Sequence, residues 1–515
     1  MGAYDLGQLY RQGKGVEQDH EKAFYWYQRS AKQGFASAQN ALGICYYYGN
    51  GVEENRGEAV KWYHKAASQG NTVAQINLGG CYEDGDGVEA DPVQAVYWYK
   101  KAAKQGNVDG QYNLGRCYYY GDGVAQDYEQ AVYWYRQAAE QGNAQAQTYL
   151  GCCYFNGDGV KEDYEQAVYW YRKAAEQGED EGQLFLGRSY EDGNGVEQDF
   201  RQAVYWYEKA IEQDNDEGQY RLGKCYEKGK GVEKDYKQAV YWYRKAAEQD
   251  NMDAQYALAL CYVKGIGVEK NNKQVAYWYG KAAEQGDADA QYKFGFCYAR
   301  GYGIEQDYEK AVYWYKKAAE QGDVNGQREL AICTFHGKGV QKDLAESIKW
   351  FTEAANQEDD FSQYVLGTFY QSGDGVEEDH NKAVRLYRKS ANQENPQGQY
   401  RLGKCYAKGI GVEQDFEQAT YWYKKAAEQG NRDAQREFAF CSFYGKGVNQ
   451  DLEQAVYWFT KAANQEDGFS KNALGICYEN GWGVEQDMEQ AVYWYRKGAE
   501  QGQQNSVEAL NRLGL

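Results

Sequence analysis

Several residue types and patterns on which other classes of protein depend are scarce in this 515-residue chain. It has two prolines, four histidines and three methionines, and it contains no apolar run close to the roughly 20 residues that a membrane-spanning helix needs. Residues 1–15 lack the basic start and apolar centre of a signal peptide. The sequence therefore predicts no membrane insertion and favours a cytoplasmic protein, with secretion left open should the natural chain begin further upstream.

The scarcity of histidine bears on catalysis, because histidine is the first side chain to consider as an acid, a base or a metal ligand. His20 and His380 occupy one repeat position, and His64 and His336 lie far from them in sequence. No H-E-x-x-H or C-x-x-C pattern occurs. We therefore predict no catalytic residue, no cofactor, no metal site and no enzyme activity.

Repetition is what the sequence has in abundance. The tryptophans recur every 36 residues with one missed position, Leu386, and paired glycines keep the same period from Gly13 and Gly15 to Gly481 and Gly483. The tryptophans in register are Trp26, Trp62, Trp98, Trp134, Trp170, Trp206, Trp242, Trp278, Trp314, Trp350, Trp422, Trp458 and Trp494. A fixed period of this size is typical of stacked helical units and not of separate globular cores.

Eleven of the twelve cysteines share one position in the repeat. They are Cys45, Cys81, Cys117, Cys153, Cys225, Cys261, Cys297, Cys333, Cys405, Cys441 and Cys477. Equivalent residues of neighbouring helix pairs lie about 8–10 Å or more apart, whereas a disulfide needs Cα atoms closer than about 7 Å. The pattern predicts free, buried thiols that act as small apolar core residues in a reducing compartment.

One repeat, residues 107–142, shows the predicted unit. Helix A is predicted over 108–120, with Asn107 as its N-cap and Gly121 as the glycine that ends it. Helix B is predicted over 128–141, with Asp127 and Gln130 in the arrangement of a capping box. Each helix then has one arc that is nearly constant between copies and one that varies, and we interpret constant positions as packing and variable positions as outward-facing.

The pattern L-G-x-C-Y-x-x-G-x-G-V-x-x-D-x-x-x-A-V-x-W-Y-x-x-A-A-x-x-G resembles the Sel1-like repeat, a relative of the tetratricopeptide repeat, and it extends over essentially residues 1–515. The resemblance implies an all-α, right-handed superhelical α-solenoid with A helices on the concave side. Its fourteen helix pairs would form one continuous domain over 1–502, with 503–515 as a half-repeat cap. The family resemblance also implies a scaffold or adaptor that assembles protein complexes.

The variable arc of helix A is the predicted partner-binding surface, because the concave side of a repeat stack lets an extended partner touch many units. Tyrosine and basic residues, which are common at binding hot spots, recur there. The candidate contact residues are Tyr112, Arg116, Tyr119, Tyr120, Arg188, Tyr220, Arg221, Lys224, Tyr256, Tyr292, Tyr400 and Lys404. The predicted partner is a protein or peptide of unknown identity, a monomer is the favoured state of the chain, and a solvated helix face without function stays open.

Two other functions are alternatives. Tyrosines and cations on a repeat surface would also suit single-stranded nucleic acid, but a net charge of −20 repels a phosphate backbone and makes nucleic acid an unfavoured partner. A hydrolase-like activity, as proposed for some relatives, would need a nucleophile and base that the sequence does not display. A second tyrosine row on helix B, which includes Tyr97, Tyr133 and Tyr169, is predicted to be exposed with its rings along neighbouring side chains.

Overall fold

The structure is a computed structural model that describes residues 2–515. All regular secondary structure in this range is helical, and the chain divides into two compact units, Met1–Glu269 and Lys270–Leu515. Odd-numbered helices are helix A of a repeat and even-numbered helices are helix B.

The first unit contains fifteen helices. They are α1 (Ala3–Gln12), α2 (His20–Lys32), α3 (Ala36–Tyr48), α4 (Arg56–Ser68), α5 (Thr72–Asp84), α6 (Pro92–Lys104), α7 (Val108–Tyr120), α8 (Tyr128–Glu140), α9 (Ala144–Asn156), α10 (Tyr164–Glu176), α11 (Asp180–Asp192), α12 (Phe200–Ile211), α13 (Asp216–Lys228), α14 (Tyr236–Glu248) and α15 (Met252–Lys264).

The second unit continues the same alternation. Its helices are α16 (Asn272–Glu284), α17 (Ala288–Arg300), α18 (Tyr308–Glu320), α19 (Val324–His336), α20 (Leu344–Asn356), α21 (Asp360–Ser372), α22 (His380–Asn392), α23 (Pro396–Lys408), α24 (Phe416–Glu428), α25 (Arg432–Tyr444), α26 (Leu452–Ala463), α27 (Gly468–Asn480), α28 (Met488–Ala499) and α29 (Gln504–Arg512). The all-α repeat architecture predicted from the sequence is confirmed.

The helix ends lie where the sequence predicts them, within one residue in the repeat of α7 and α8. Gly121 ends α7 in the left-handed conformation, with φ of 81°. Asp127 caps α8 by accepting a hydrogen bond from the backbone N–H of Gln130 at 3.0 Å. A capping box also requires the Gln130 side chain to accept a hydrogen bond from the N–H of Asp127. That part of the prediction is wrong, because the N–H of Asp127 donates to the Tyr118 carbonyl at 2.9 Å. The loop is thereby fastened to helix A instead of to its own helix.

Each core is shared between neighbouring repeats. One cluster joins Ala131 and Tyr135 of α8 to Leu150 and Cys153 of α9, and Trp170 of α10 closes it. A single helix pair would leave this face in water, so stacking of repeats is required for stability. The constant arc of helix A is buried as predicted, with Leu42 fully inaccessible.

The variable arc is not uniformly outward-facing. Asn40 and Ala41 are buried, and the prediction is wrong for them. Asn40 is covered by the next A helix, because the side-chain amide of Asn77 on α5 donates to its Oδ1 at 3.0 Å. Ala41 belongs to the core cluster that contains Tyr27 of α2. A single helix considered alone does not reveal these contacts.

A glutamine ladder runs through the buried side of both units. Nε2 of Gln147 on α9 donates to the carbonyl of Ala139 at the end of α8 at 3.0 Å, and its Oε1 accepts from Nε2 of Gln177 at 2.7 Å. The same Gln–Gln bond joins Gln321 to Gln291 in the second unit at 2.9 Å. Because an unpaired buried amide is costly, these bonds fix each helix pair against the helix before it.

The cysteines are free, as predicted, and the eleven at the repeat position are buried. Burial raises the pKa of the Cys45 thiol to about 11 and that of Cys117 to about 12. Both thiols therefore remain protonated at neutral pH and contribute as small apolar side chains.

Of the helices found between residues 2 and 515, none combines the length and the apolar character needed to cross a membrane.

Candidate interaction surface

Five positions on each A helix form the surface called the A face here. On α7 they are Tyr112, Asn113, Arg116, Tyr119 and Tyr120, and equivalent positions follow every 36 residues. Consecutive A helices contact one another directly in both units, as α9 does α11 and α21 does α23. Within each unit the A face is therefore a row of short helices with grooves between consecutive helices.

Cavities occur in these grooves at the same place in the repeat. One of about 370 Å³ lies between α3 and α5, and one of about 210 Å³ lies between α9 and α11. In the second unit, cavities of about 190 and 380 Å³ lie between α25 and α27 and between α27 and α29. Each is lined by side chains of two consecutive A helices, so the groove recurs with the repeat.

The central tyrosines of the A face lean onto the core instead of standing in solvent. Tyr112 packs on Tyr135 at 6.2 Å between ring centroids, and three others make the same contact at 5.8 to 6.1 Å: Tyr220 on Tyr243, Tyr292 on Tyr315 and Tyr400 on Tyr423. Tyr400 is buried, with 9% exposure, so an outward-facing position is wrong for that residue. Tyr112, Tyr220, Tyr256 and Tyr292 are half-buried.

Two predicted contact residues at the ends of A helices differ in accessibility. Tyr120 is 52% exposed, whereas Tyr119 is half-buried and its hydroxyl donates to Asp158 of the following repeat at 3.0 Å. Burial, together with that bond, raises the pKa of Tyr119. Tyr120 is thus available to a partner and Tyr119 joins neighbouring repeats.

Carboxylates within the protein already neutralise part of the predicted basic ridge. Arg116 forms an ion pair with Glu83 of the preceding A helix. Arg221 pairs with Glu217 at 2.7 Å and with Glu191 at 3.7 Å. Sequence reasoning missed these partners because Glu83 and Glu191 are 33 and 30 residues away, although both lie in register on the preceding A helix.

The other predicted cations lie over aromatic rings or beside further cations. The guanidinium of Arg188 is 5.8 Å from the Phe185 ring centroid, and Nζ of Lys224 is 5.2 Å from that of Tyr220. Burial lowers the pKa of Lys404, and the positive charges of Arg401 and Lys408 lower it further. These three predicted residues keep an accessible positive charge on the A face.

The tyrosine row of helix B is exposed, and its rings lie along neighbouring side chains as predicted. Tyr97, Tyr133 and Tyr169 are 47 to 52% exposed. Each packs edge-on against the tryptophan that follows it, at 4.9 to 5.0 Å between ring centroids. The equivalent Tyr277 of α16 borders a cavity of about 320 Å³, so the row is not uniformly flat.

The histidines lie apart from one another at helix starts, a helix end and a helix surface. Across residues 2–515, no group of three or more His, Cys, Asp or Glu side chains is arranged to hold a metal ion.

Stacked two-helix repeats with a grooved A face define the class of helical-repeat solenoid proteins. Within that class, the Sel1 repeat family matches fourteen consecutive segments: 1–35, 36–71, 72–107, 108–143, 144–179, 180–215, 216–251, 253–287, 288–323, 324–359, 360–395, 396–431, 432–467 and 469–503. The chain belongs to the Sel1 repeat family, which confirms the resemblance seen in its sequence.

Solved structures of bacterial Sel1 repeat proteins are similar to this chain. One is c5321, a protective antigen of uropathogenic Escherichia coli strains, which is 38% identical with a TM-score of 0.69 over 86% of this chain and 96% of that one. A Sel1 repeat protein from Oxalobacter formigenes is 33% identical with a TM-score of 0.45 over 58% and 87% of the two chains. The comparison with curated proteins finds no match.

Proposed function

We propose that this protein is a non-enzymatic interaction scaffold that binds a partner protein or peptide along its A face. Sel1 repeat proteins are commonly protein-interaction scaffolds, and membership of that family supports the general role. The observation that carries the choice of surface is the recurring groove between A helices, with its cavities of about 190 to 380 Å³. Binding sites are concave and keep a few polar groups among apolar ones, and the A-face grooves repeat this form in both units.

Within this proposal the twelve candidate residues divide by accessibility. Tyr120, Arg188, Lys224 and Lys404 contact the partner directly, since the Tyr120 ring is exposed and the three cations are not engaged in ion pairs within the described residues. Tyr112, Tyr119, Tyr220, Tyr256, Tyr292 and Tyr400 form the floor of the groove together with Arg116 and Arg221. The partner is an extended segment, because only an extended chain follows a row of short helices.

Site-specific photocrosslinking from matched exposed tyrosines tests the surface. A photoreactive phenylalanine analogue replaces Tyr48, Tyr120 or Tyr444 on the A face, which are 52 to 66% exposed, or Tyr97, Tyr133 or Tyr457 on helix B, which are 47 to 53% exposed. We expect the A-face positions to crosslink one common protein in lysate of the source cell and the B-helix positions to leave it uncaptured. Capture from helix B alone would contradict the proposal.

A further inference from the structure

Two A helices five repeats apart carry the same three cations but differ in the carboxylates around them. The sequence of α13 is DEGQYRLGKCYEK and that of α23 is PQGQYRLGKCYAK. Arg401, Lys404 and Lys408 of α23 thus correspond to Arg221, Lys224 and Lys228 of α13. Since the two helices differ at three positions, α13 is an internal control for α23.

The cations of α13 lie among carboxylates. Arg221 pairs with Glu217 and Glu191, as described above, and Glu227 accepts a hydrogen bond from the Tyr243 hydroxyl at 2.9 Å. The positive charge on this part of the A face is therefore compensated within the first unit.

The equivalent carboxylates are missing around α23. Gln371, Gln397 and Ala407 replace Glu191, Glu217 and Glu227. Gln371 accepts a hydrogen bond from Tyr387 at 2.8 Å, much as Glu191 does from Tyr207 at 2.6 Å. At position 371 the structural bond is retained and only the negative charge is lost, so packing does not explain that substitution, whereas Ala407 cannot accept the bond that Glu227 accepts from Tyr243.

The cations of α23 have no ion-pair partner within residues 2–515. The carboxylates on the next A helix, Asp433 and Glu437, are engaged by Arg436 at 3.0 and 3.2 Å. They oppose the lowering of the Lys404 pKa, but burial and the charges of Arg401 and Lys408 outweigh them. An added anion would relieve this repulsion.

The surrounding segment is positive although the whole chain is strongly acidic. Residues 380–408 hold seven lysines and arginines but a single carboxylate, Glu394, within a chain of net charge −20. A local reversal of sign attracts an anionic group, whereas the acidic surface elsewhere on the chain repels such a group.

An apolar cavity lies one groove further along the A face. Phe440 and Tyr444 hold on α25 the positions that Lys404 and Lys408 hold on α23. They line the cavity of about 190 Å³ between α25 and α27 with Phe443, Phe459 and Trp482. An extended segment crossing α23 and α25 would therefore meet a cationic site and then an apolar pocket.

We infer that α23 and α25 form a docking site for an acidic peptide segment of the partner, whose carboxylates pair with Arg401, Lys404 and Lys408 and whose neighbouring large apolar side chain enters the cavity lined by Phe440 and Tyr444. The inference rests on the proposed function and specifies the chemistry of the partner. The acidic residues provide orientation and fast association, and the apolar side chain provides buried contact area.

The probe for this site is a fluorescein-labelled peptide with a run of glutamates followed by Gly-Phe-Leu, measured by fluorescence anisotropy on the full chain. We expect the double variant Lys404→Glu with Lys408→Glu to weaken binding at least about tenfold. A control double variant with the same change of charge in the first unit, Lys228→Glu with Lys264→Glu at two exposed equivalent positions, should leave the affinity within about twofold of the wild type. Binding should also weaken at high salt and with serine in place of the peptide phenylalanine.

Three outcomes would overturn the inference: no binding of the peptide by the wild-type chain at low salt, equal loss in the two double variants, or tighter binding of a single-stranded oligonucleotide that is lost in the same α23 variant. A fourth is dissociation of a dimer by the α23 variant without a change in peptide affinity, since the occupant would then be a second copy of the chain.

Photocrosslinking from Tyr48 and Tyr120 in the first unit does not depend on α23. If the peptide fails while those positions capture a partner, the acidic site is wrong and the scaffold proposal stands.

Discussion

Glycine decides how closely the two helices of a repeat approach each other. A Cβ atom on Gly79 would lie 2.5 Å from Cε1 of Tyr99, whereas one on the adjacent Gly80 would have its nearest neighbour at 3.9 Å. Three repeats hold alanine at the Gly79 position, and in two of them, with Ala331 and Ala439, the facing residue is phenylalanine. Phenylalanine has no hydroxyl to be held in place, whereas the Tyr99 hydroxyl donates to Glu83 at 2.7 Å, so a phenylalanine ring can move aside for the added methyl group.

This difference predicts effects of opposite sign for two neighbouring substitutions. Gly79→Ala should lower the free energy of unfolding by about 1–3 kcal/mol through overpacking, and Gly80→Ala should raise it by up to about 1 kcal/mol through helix propensity. Urea unfolding of both variants, with amide exchange of α5 and α6, measures this. Adding Tyr99→Phe to Gly79→Ala should restore part of the loss, and equal effects of the two alanines would contradict the explanation.

Side-chain positions fixed by local rules could be predicted from the sequence, but pairings between repeats could not. The Asp127 cap and the Gly121 helix end depend on residues three or four apart. The Arg116–Glu83 pair and the burial of Asn40 depend on how one A helix is placed against the next. The cationic character of α23 follows from the loss of carboxylates on two helices, so it emerges only when equivalent repeats are compared with their contacts known.

At the scale of the element, the two glycines of the loop between helix A and helix B have different roles. Gly157 ends α9 with φ of 78°, and an added Cβ would have its nearest neighbour at 3.5 Å. Gly159 also has a positive φ, of 67°, but its Cβ would overlap the backbone carbonyl of Tyr128 at the start of α8. The second glycine is therefore a contact between repeats as well as part of a turn.

Alanine at these two glycines separates conformational strain from loss of that contact. Gly157→Ala should cost about 1–2 kcal/mol because of its left-handed conformation. Gly159→Ala should cost about 1–3 kcal/mol more, because the backbone of α8 must move. Hydrogen exchange of α8 and α10 should increase in the Gly159 variant and little in the Gly157 variant; similar exchange in both would show that the close approach does not matter.

At the scale of the whole molecule, the repetition of buried thiols and phenols makes stability depend on alkaline pH. Burial raises the pKa of Tyr27 to about 12 and that of the Cys81 thiol to about 11 from unperturbed values of 10.0 and 9.0. At a pH between the unperturbed and the raised pKa, such a group stays protonated in the folded chain and ionises when the chain unfolds. Their contribution is therefore complete below pH 9.0 and is lost as the pH rises toward about 11 to 12.

We expect the urea midpoint to be nearly constant from neutral pH to about pH 8.5 and to fall steeply above the unperturbed thiol pKa. Each thiol that ionises on unfolding contributes about 1.4 kcal/mol per pH unit to the slope. A variant with Cys45→Ala, Cys81→Ala and Cys117→Ala should have a smaller slope between pH 9 and 10 by about that amount per thiol. An unchanged slope would show that the thiols do not carry the dependence.

The glutamine ladder and the second loop glycine have a consequence for how such a chain changes over generations. Because junctions between neighbouring repeats use the same bond at the same position, as Gln147 donates to the Ala139 carbonyl and Gln291 to the Ala283 carbonyl, recombination that adds or removes a multiple of 36 codons within a unit joins two compatible surfaces. The new junction then has the same glutamine bond and the same close approach of the second loop glycine as the junctions on either side of it. Length can therefore be altered by unequal crossing-over without a new core, while individual A helices such as α23 acquire their own charge by point mutation.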